Sequence, residues 1–246
     1  MTYLIPMNPT TNTSTIHGAI VIWLCDTAVT HIHKHTHLSK TMKTKLAIVL
    51  AALAATTFAQ AGDQDCYITE VMYTGLFGEF VEVTNTGAAQ VDVNGWKYDD
   101  NTGSGVVMFT SSTLLDQNDC FIITEVSEAV FRQAWYTDSG EGAPGGLVAI
   151  YQNSSNNLGR SDTVKIWEDG GTPVDTLIFN DQASSGADEK GPRTEEISAV
   201  PGPSTVLGDN KFKNWVLSAV GVGNAWKAGA AAPVPGPVGS PGQYPN

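Results

Sequence analysis

The stretch EFVEVTNTGAAQVDVNGWKYDD, residues 79–100, contains two short valine-rich segments separated by turn sequences. Valines recur at every second position in each segment, at Val81 and Val83 and then at Val91 and Val93. This is the period at which side chains alternate between the two faces of a β-strand. Asn-Thr-Gly and Asn-Gly are typical of tight bends. The stretch therefore predicts two strands with one apolar face, and it offers few reactive side chains.

The same pattern of short strands and turn residues extends over residues 66–181. Polar residues such as Glu82, Asp92 and Lys165 alternate with the apolar ones, which predicts one face toward a core and one toward water. Short strands at such spacing indicate a sandwich or a barrel. SEAVFRQAWY, 127–136, predicts one short connecting helix. The predicted strands are 66–73, 79–85, 91–98, 106–109, 120–125, 147–151, 162–168 and 174–179.

The regular pattern fades after residue 181. Residues 182–210 are rich in Ser, Gly, Asp and Pro, which predicts a long surface connection. KFKNWVLS, 211–218, predicts an edge strand. Residues 229–246 are rich in Pro and Gly and hold few large side chains, which predicts an extended tail outside the core. The sandwich domain is therefore predicted to span residues 62–228.

A signal peptide is predicted at residues 42–61. Lys43 and Lys45 form its charged start, Leu46–Phe58 is an apolar run, and the Ala-Gln-Ala at 59–61 fits a cleavage site. Residues 1–41 are then a non-native or disordered leader, and the protein is secreted, either extracellular or attached to the cell envelope. In the alternative, residues 1–41 are a real extension and Leu46–Phe58 is an internal anchor. That run is short for a membrane span, so none is predicted.

Charge and cysteine content fit an exported chain. The sequence holds 13 basic and 25 acidic residues; the part before Gly62 holds four lysines and Asp26, so the mature chain carries 9 and 24, a net charge of −15. This charge disfavours nucleic acid and anionic lipid as partners. Cys66 and Cys120 remain after cleavage and predict a disulfide in an oxidising compartment. The alternative is a pair of buried thiols packed in the core.

Five segments, taken in order, resemble the lamin tail domain family. They are ITEVMY (68–73), EFVEVTNTG (79–87), VDVNGWKYDD (91–100), LGRSDTVKIWEDGGTPVDTLIF (158–179) and the terminal GSPGQYPN (239–246). The resemblance implies an all-β, immunoglobulin-like antiparallel β-sandwich with one short connecting helix. It implies no catalytic residues, and it implies an interaction surface. Phe80 stands where the family often has tryptophan, and the cysteine pair is not a family hallmark.

Catalysis is disfavoured by the residues themselves. All five histidines precede Met42, so a mature chain lacks the commonest general base. Glu70, Glu79, Glu82 and Asp92 could pair as the carboxylates of a glycosidase, although the outer face of a sheet produces the same pattern. We therefore predict a non-catalytic binding or scaffolding module. The alternative is a small secreted carbohydrate-active hydrolase that uses paired carboxylates.

The remaining candidate sites concern a cation, a sugar and a glycan. No cofactor is predicted with the possible exception of Ca²⁺, for which Asp99, Asp100 and Asn101, and also Asp116 and Asp119, provide oxygen ligands. Trp215 and Trp226 are candidates for an exposed binding surface, whereas Trp96, directly after a turn glycine, is predicted to fill the core. Asn153 in Asn-Ser-Ser is a conditional glycosylation site. The expected partner is a protein or a cell-envelope polysaccharide.

Overall fold

The structure, a computed structural model, describes residues 65–100, 105–229 and 236–244. The predicted leader, residues 1–41, and the predicted signal peptide, residues 42–61, lie outside these residues. The described part is built mainly of β-strands. The strands are β1 (Cys66–Met72), β2 (Phe80–Asn85), β3 (Val91–Asp92), β4 (Lys97–Asp99), β5 (Val106–Val107), β6 (Leu114–Leu115), β7 (Cys120–Thr124), β8 (Leu147–Gln152), β9 (Ser161–Trp167), β10 (Pro173–Asn180), β11 (Ala199–Pro201), β12 (Trp215–Leu217), β13 (Trp226–Lys227) and β14 (Val238–Gly239).

Two sheets form the sandwich. The larger has the order β12-β11-β1-β2-β7-β8 and the smaller has the order β10-β9-β4-β5. Every strand pair is antiparallel except β7 and β8, which are parallel because the helical segment carries the chain back across the sheet. β3–β6 and β13–β14 form two further pairs. The predicted all-β sandwich is confirmed, with one parallel pair added.

The first core lies between the two sheets. Val81 and Val83 on β2 face Val164 and Ile166 on β9 within one apolar cluster. These are the residues whose period-two spacing predicts an inward face. Trp96 also belongs to this cluster, and its ring meets Phe121 edge to face with centroids 6.3 Å apart. The prediction that Trp96 fills the core is confirmed.

A second core covers the opposite face of the larger sheet. The helix α1 (Glu128–Arg132) begins at Ser127, whose Oγ accepts a hydrogen bond from the N–H of Val130, and it continues as one π-helical turn, Gln133–Thr137. Phe131 and Trp135 from this segment pack on Phe80. The predicted helix is confirmed. Its position means that both faces of the larger sheet are dry.

Part of the predicted surface connection belongs to the sheet. Within 182–210, residues Ala199–Pro201 form β11, which lies between β1 and β12, and Ser198 and Ala199 are fully buried. The interpretation of the whole segment as a surface connection is therefore wrong. Residues 211–218 do provide an edge strand, β12, after a 3₁₀ turn at Phe212–Asn214.

The described part of the predicted tail is also part of the fold. β14 pairs with β13, and the N–H of Ser198 donates to the carbonyl of Val238 at 2.9 Å. Gly239 and Ser240 are buried. The prediction of a tail outside the core is wrong for residues 236–244, because hydrogen bonds to the sheet replace the large side chains that this segment lacks.

The predicted disulfide between Cys66 and Cys120 is wrong. Both residues are buried thiols that are not joined to each other. Cys66 is opposite Asn85 and Cys120 is opposite Thr84, so β2 lies between them. Two strand spacings amount to roughly 9.6 Å, beyond the reach of a disulfide. In addition, Cys66 belongs to the first core and Cys120 to the second, on opposite faces of the sheet.

Candidate functional site

A cleft of about 380 Å³ opens at one end of the sandwich. We call it the end cleft. Loops at this end supply its lining: the end of β1, the start of β2, the end of β7, the segment before β9 and the segment before β11. Loops held by a rigid sandwich are where such folds usually bind their partners. The lining residues are Tyr73, Thr74, Glu79, Glu125, Asn157, Leu158, Gly159, Arg160, Arg193 and Glu195.

Two carboxyl groups lie together in the end cleft. The N–H of Glu79 donates to Glu125 Oε1 at 3.3 Å, and the N–H of Leu158 donates to Glu79 Oε2 at 2.6 Å. Asn157 Nδ2 donates to Glu125 Oε2 at 3.0 Å. Burial raises the pKa of Glu79 to about 8; the bond from Leu158 opposes this rise, and the charge of Glu125 adds to it. Glu79 is therefore a neutral carboxylic acid near pH 7.

Two arginines also line the end cleft. Arg160 Nε donates to both carboxylate oxygens of Asp181, at 3.0 and 3.1 Å, and the Tyr73 hydroxyl donates to the same carboxylate at 3.1 Å. Arg193 is ion-paired with Glu195, and 56% of its side-chain area remains exposed. Asp181 therefore fixes the positions of Arg160 and Tyr73, while Arg193 can still offer donors to a ligand.

The acidic residues proposed as calcium ligands do not form one cluster. Asp99 ends β4 and is buried, whereas Asp116 and Asp119 belong to the turn after β6, where Asp119 Oδ2 accepts the N–H of Asp116. In the part of the chain that the structure describes, no group of three or more His, Cys, Asp or Glu side chains is arranged to hold a metal ion.

Asp100 Oδ1 is buried and has no hydrogen-bond partner among the described residues. Asn101 lies outside those residues. Calcium binding at the loop that starts at Asp99 therefore stays a prediction.

Trp215 and Trp226 are not an exposed surface. Trp215 is 6% exposed and packs on Phe212, with ring centroids 5.5 Å apart. Trp226 is 5% exposed, and its Nε1 donates to the carbonyl of Trp135 at 2.8 Å. The prediction of an exposed binding surface is wrong at both positions, because their neighbouring segments, which look weakly ordered in the sequence, complete the two cores.

Asn153 is not available to carry a glycan in this fold. It is 3% exposed, its Nδ2 donates to the carbonyl of Asn156, and its Oδ1 accepts the N–H of Asn156 at 3.0 Å. The side chain thus closes the turn that leads to the end cleft. A glycan attached to Nδ2 has no room at this buried position, so the conditional site is wrong for the folded protein.

The predicted carboxylates fall into three different environments. Glu79 lines the end cleft, and Asp92 is exposed, where its Oδ1 accepts the N–H of Asn94 and that of Thr113. Glu70 and Glu82 are each 1% exposed and lie on the outer face of the larger sheet. That face is dry, so the prediction that Glu82 points to water is wrong. The structure therefore does not bring the four carboxylates into one site.

The chain matches a known protein family. The Lamin Tail Domain family model matches residues 59–211, more than half of the chain. The chain belongs to this family, which consists of immunoglobulin-like, generally non-enzymatic domains that act in protein interactions. A search of curated proteins finds no match. No helix in the described residues is long and apolar enough to cross a membrane.

Sequence reasoning missed most of the end cleft. Four of its residues lie between predicted strands or at the end of one, and no regular spacing links them. They are Glu125, Asn157, Arg160 and Arg193. The signal that could have found them is topological. Strands β1 and β7 both run toward this end, so residues that follow them meet there.

Proposed function

We propose that this chain is an exported, non-catalytic binding or scaffolding module that acts at the cell surface or outside the cell. Export is supported by the charged start, apolar run and small-residue triplet of residues 42–61. The net negative charge argues against a nucleic acid as the partner. The partner is a protein or a cell-envelope polysaccharide.

The end cleft is the observation that carries this proposal. It is open and polar, and its lining includes both donors and acceptors, among them neutral Glu79, Arg193 and Asn157. A neutral carboxylic acid donates one hydrogen bond and accepts others. Such a mixed set of donors and acceptors can form hydrogen bonds with the hydroxyl groups of a sugar or with the backbone of an extended peptide.

A co-sedimentation assay tests the binding function. The purified full chain is mixed with cell-envelope and insoluble polysaccharide preparations, with calcium and with chelator, and the protein lost from the supernatant is measured. We expect loss for the wild type and a several-fold reduction for Arg193→Ala. Arg132→Ala is the matched control, since it removes the same charge from helix α1, outside the end cleft. Equal reduction by both variants, or no loss in any condition, would contradict the proposal.

A second candidate function is a carbohydrate-active hydrolase that works in the same cleft. One observation favours it: Glu79, kept protonated by burial, is adjacent to Glu125, and paired carboxyl groups of this kind serve as acid and base in glycoside hydrolysis. Glu79 would protonate the leaving oxygen and Glu125 would act as nucleophile or base. Against it, one oxygen of each carboxyl group already holds the 157–158 segment.

Release of reducing sugar from the same polysaccharide preparations separates the two functions. The hydrolase predicts release by the wild type and at least a hundredfold loss in Glu79→Gln, since general acid catalysis contributes roughly 10²–10⁴-fold. The binding module predicts no release, together with sedimentation that depends on Arg193.

A further inference from the structure

The C-terminal segment is held by two buried carboxyl groups on the outer face of the larger sheet. Glu70 on β1 and Glu82 on β2 are directly opposite each other in the strand register. The N–H and Oγ of Ser240 donate to Glu70 at 2.8 and 3.1 Å, and the N–H of Gly242 donates to Glu82 at 2.5 Å. These hydrogen bonds hold Ser-Pro-Gly, residues 240–242, against the larger sheet.

Further contacts fix the positions of the two carboxyl groups. Ser198 Oγ, which also contacts Ser218 Oγ at 2.8 Å, donates to Glu70 Oε1. Thr69 Oγ1 donates to Glu82 Oε1 at 2.6 Å. The Tyr136 hydroxyl donates to the carbonyl of Pro241 at 3.2 Å. Both carboxyl groups therefore point into a closed polar pocket whose lid is residues 240–242.

The pocket cannot hold two negative charges at low cost. Opposite residues on paired strands have Cβ atoms roughly 5 Å apart, and like charges at that distance away from water repel strongly. Burial, and after it the charge of Glu82, raises the pKa of Glu70 to about 8. Burial also raises the pKa of Glu82. Hydrogen bonds from the hydroxyl groups and N–H groups oppose these rises without cancelling them.

The thiol and the phenols around the pocket are neutral near neutral pH, so they neither add to the negative charge of the pair nor offset it. Cys120 faces the pocket from β7 and Tyr136 from the π-helical turn; burial raises the pKa of the Cys120 thiol and of the Tyr136 phenol, so both stay neutral. Tyr244 is held neutral in the same way. The charge of Asp119 adds to the rise in the pKa of Cys120, and the charge of Arg132, on the helix, opposes the rise in the pKa of Tyr136.

We propose that Glu70 and Glu82 form a proton-dependent clasp: residues 238–242 stay docked while the pair retains a proton, and they detach when the pair loses it. Detachment removes the cover from the pocket and lets both carboxylates reach water. Opening therefore releases one proton. The fold contains a switch that loosens its C-terminal segment as pH rises, independently of the end cleft.

Hydrogen–deuterium exchange of the full chain tests the clasp. After correction for intrinsic exchange rates, protection of the Ser240 and Gly242 amides should fall by roughly tenfold per pH unit between about pH 6 and pH 8, because opening releases one proton. At every pH the Ser240 and Gly242 amides should be less protected than those of Val83 and Ile123, inside the sheet, because the clasp amides exchange by local opening and the sheet amides only by unfolding. Protection that is independent of pH, or protection of Ser240 and Gly242 equal to that of Val83 and Ile123, would overturn the clasp.

The double variant E70Q/E82Q removes the titration and keeps the shape. A glutamine oxygen can accept the N–H of Ser240 or Gly242, and its amide can donate to the serine and threonine hydroxyls. Its Ser240 and Gly242 amides should show protection that no longer depends on pH. The wild-type slope persisting in this variant would overturn the assignment to Glu70 and Glu82. If the variant does not fold, the wild-type pH series alone decides.

Discussion

At the residue scale, buried carboxyl groups serve as partners for backbone N–H groups that no neighbouring strand can pair. Asp175 Oδ2 accepts the N–H of Ile68 at 2.8 Å, across 107 residues of sequence. Glu79 accepts the N–H of Leu158, and Glu82 that of Gly242. A buried N–H without a partner is costly, so each carboxyl group stabilises a junction between segments. Carboxyl groups that would suggest catalysis in the sequence are thus largely structural.

The two thiols provide a direct check of the residue contacts. Alkylation of the unfolded chain without reductant should label both Cys66 and Cys120, because they lie on opposite faces of the sheet. In the folded chain both should react far more slowly, since both are buried. Peptide mass spectrometry measures both outcomes. A Cys66–Cys120 disulfide peptide would show that this strand arrangement is wrong.

Gly239 tests how closely the C-terminal segment is packed. A Cβ at this position would lie 2.8 Å from Glu70 Oε1 and 3.1 Å from the Trp135 ring. Gly239→Ala should therefore lower the free energy of unfolding by roughly 1–3 kcal/mol, measured in urea. Gly145→Ala is the matched control, because no atom lies within 4 Å of its added Cβ. Equal stability of the two variants would contradict the close docking of residue 239.

At the scale of elements, helix α1 holds the second core in place. It has only five residues, so its stability depends on packing and on its cap at Ser127. Ser127→Ala should cost about 1 kcal/mol of unfolding free energy in urea, since it leaves the N–H of Val130 without its partner. Ser127→Asp restores an acceptor at the same place and should cost little. Loss of stability in both variants would mean that the cap is not what matters.

The elements also show what the sequence could predict. Strands β1, β2, β7, β9 and β10 have five or more residues, and their apolar residues between turn sequences locate each within one or two residues. β6, β11, β13 and β14 have two or three residues, too few for a period to show, and their stability comes from neighbours distant in sequence. Glu82 looked solvent-facing because alternation reports polarity, and it cannot report that a helix and a C-terminal segment cover the second face.

At the scale of the whole molecule, the two faces of the larger sheet have different structural roles. One face packs on the smaller sheet and builds the rigid sandwich, and the other carries α1 and the C-terminal clasp. The end cleft lies where loops from both layers meet. Its residues come from five segments, so their assembly depends on strand order, which a single sequence does not state.

The buried carboxyl groups together determine how stability depends on pH. Burial raises the pKa of Glu70 and Glu79 to about 8 and that of Asp175 to about 6, and it raises the pKa of Glu82 as well. Between the unfolded pKa, 4.5 for the glutamates and 3.8 for Asp175, and these values, the folded state binds protons that the unfolded state lacks. Stability from these groups is therefore complete at low pH and decreases as pH rises through the folded values.

Asp181, whose pKa is lowered, limits stability in acid. Burial favours the neutral form of Asp181, but the hydrogen bonds from Arg160 and Tyr73 outweigh it and lower its pKa. Its contribution is lost as pH falls through that lowered pKa. We therefore expect the unfolding temperature, measured by circular dichroism, to be highest at about pH 4 and to fall by roughly 5 °C or more by about pH 8.5. Glu79→Gln should flatten that fall, because glutamine does not titrate, while Arg132→Ala should leave it unchanged. An unfolding temperature that rises from pH 5 to pH 8.5 would mean that these carboxyl groups are ionised in the folded protein and that the clasp, too, lacks its proton.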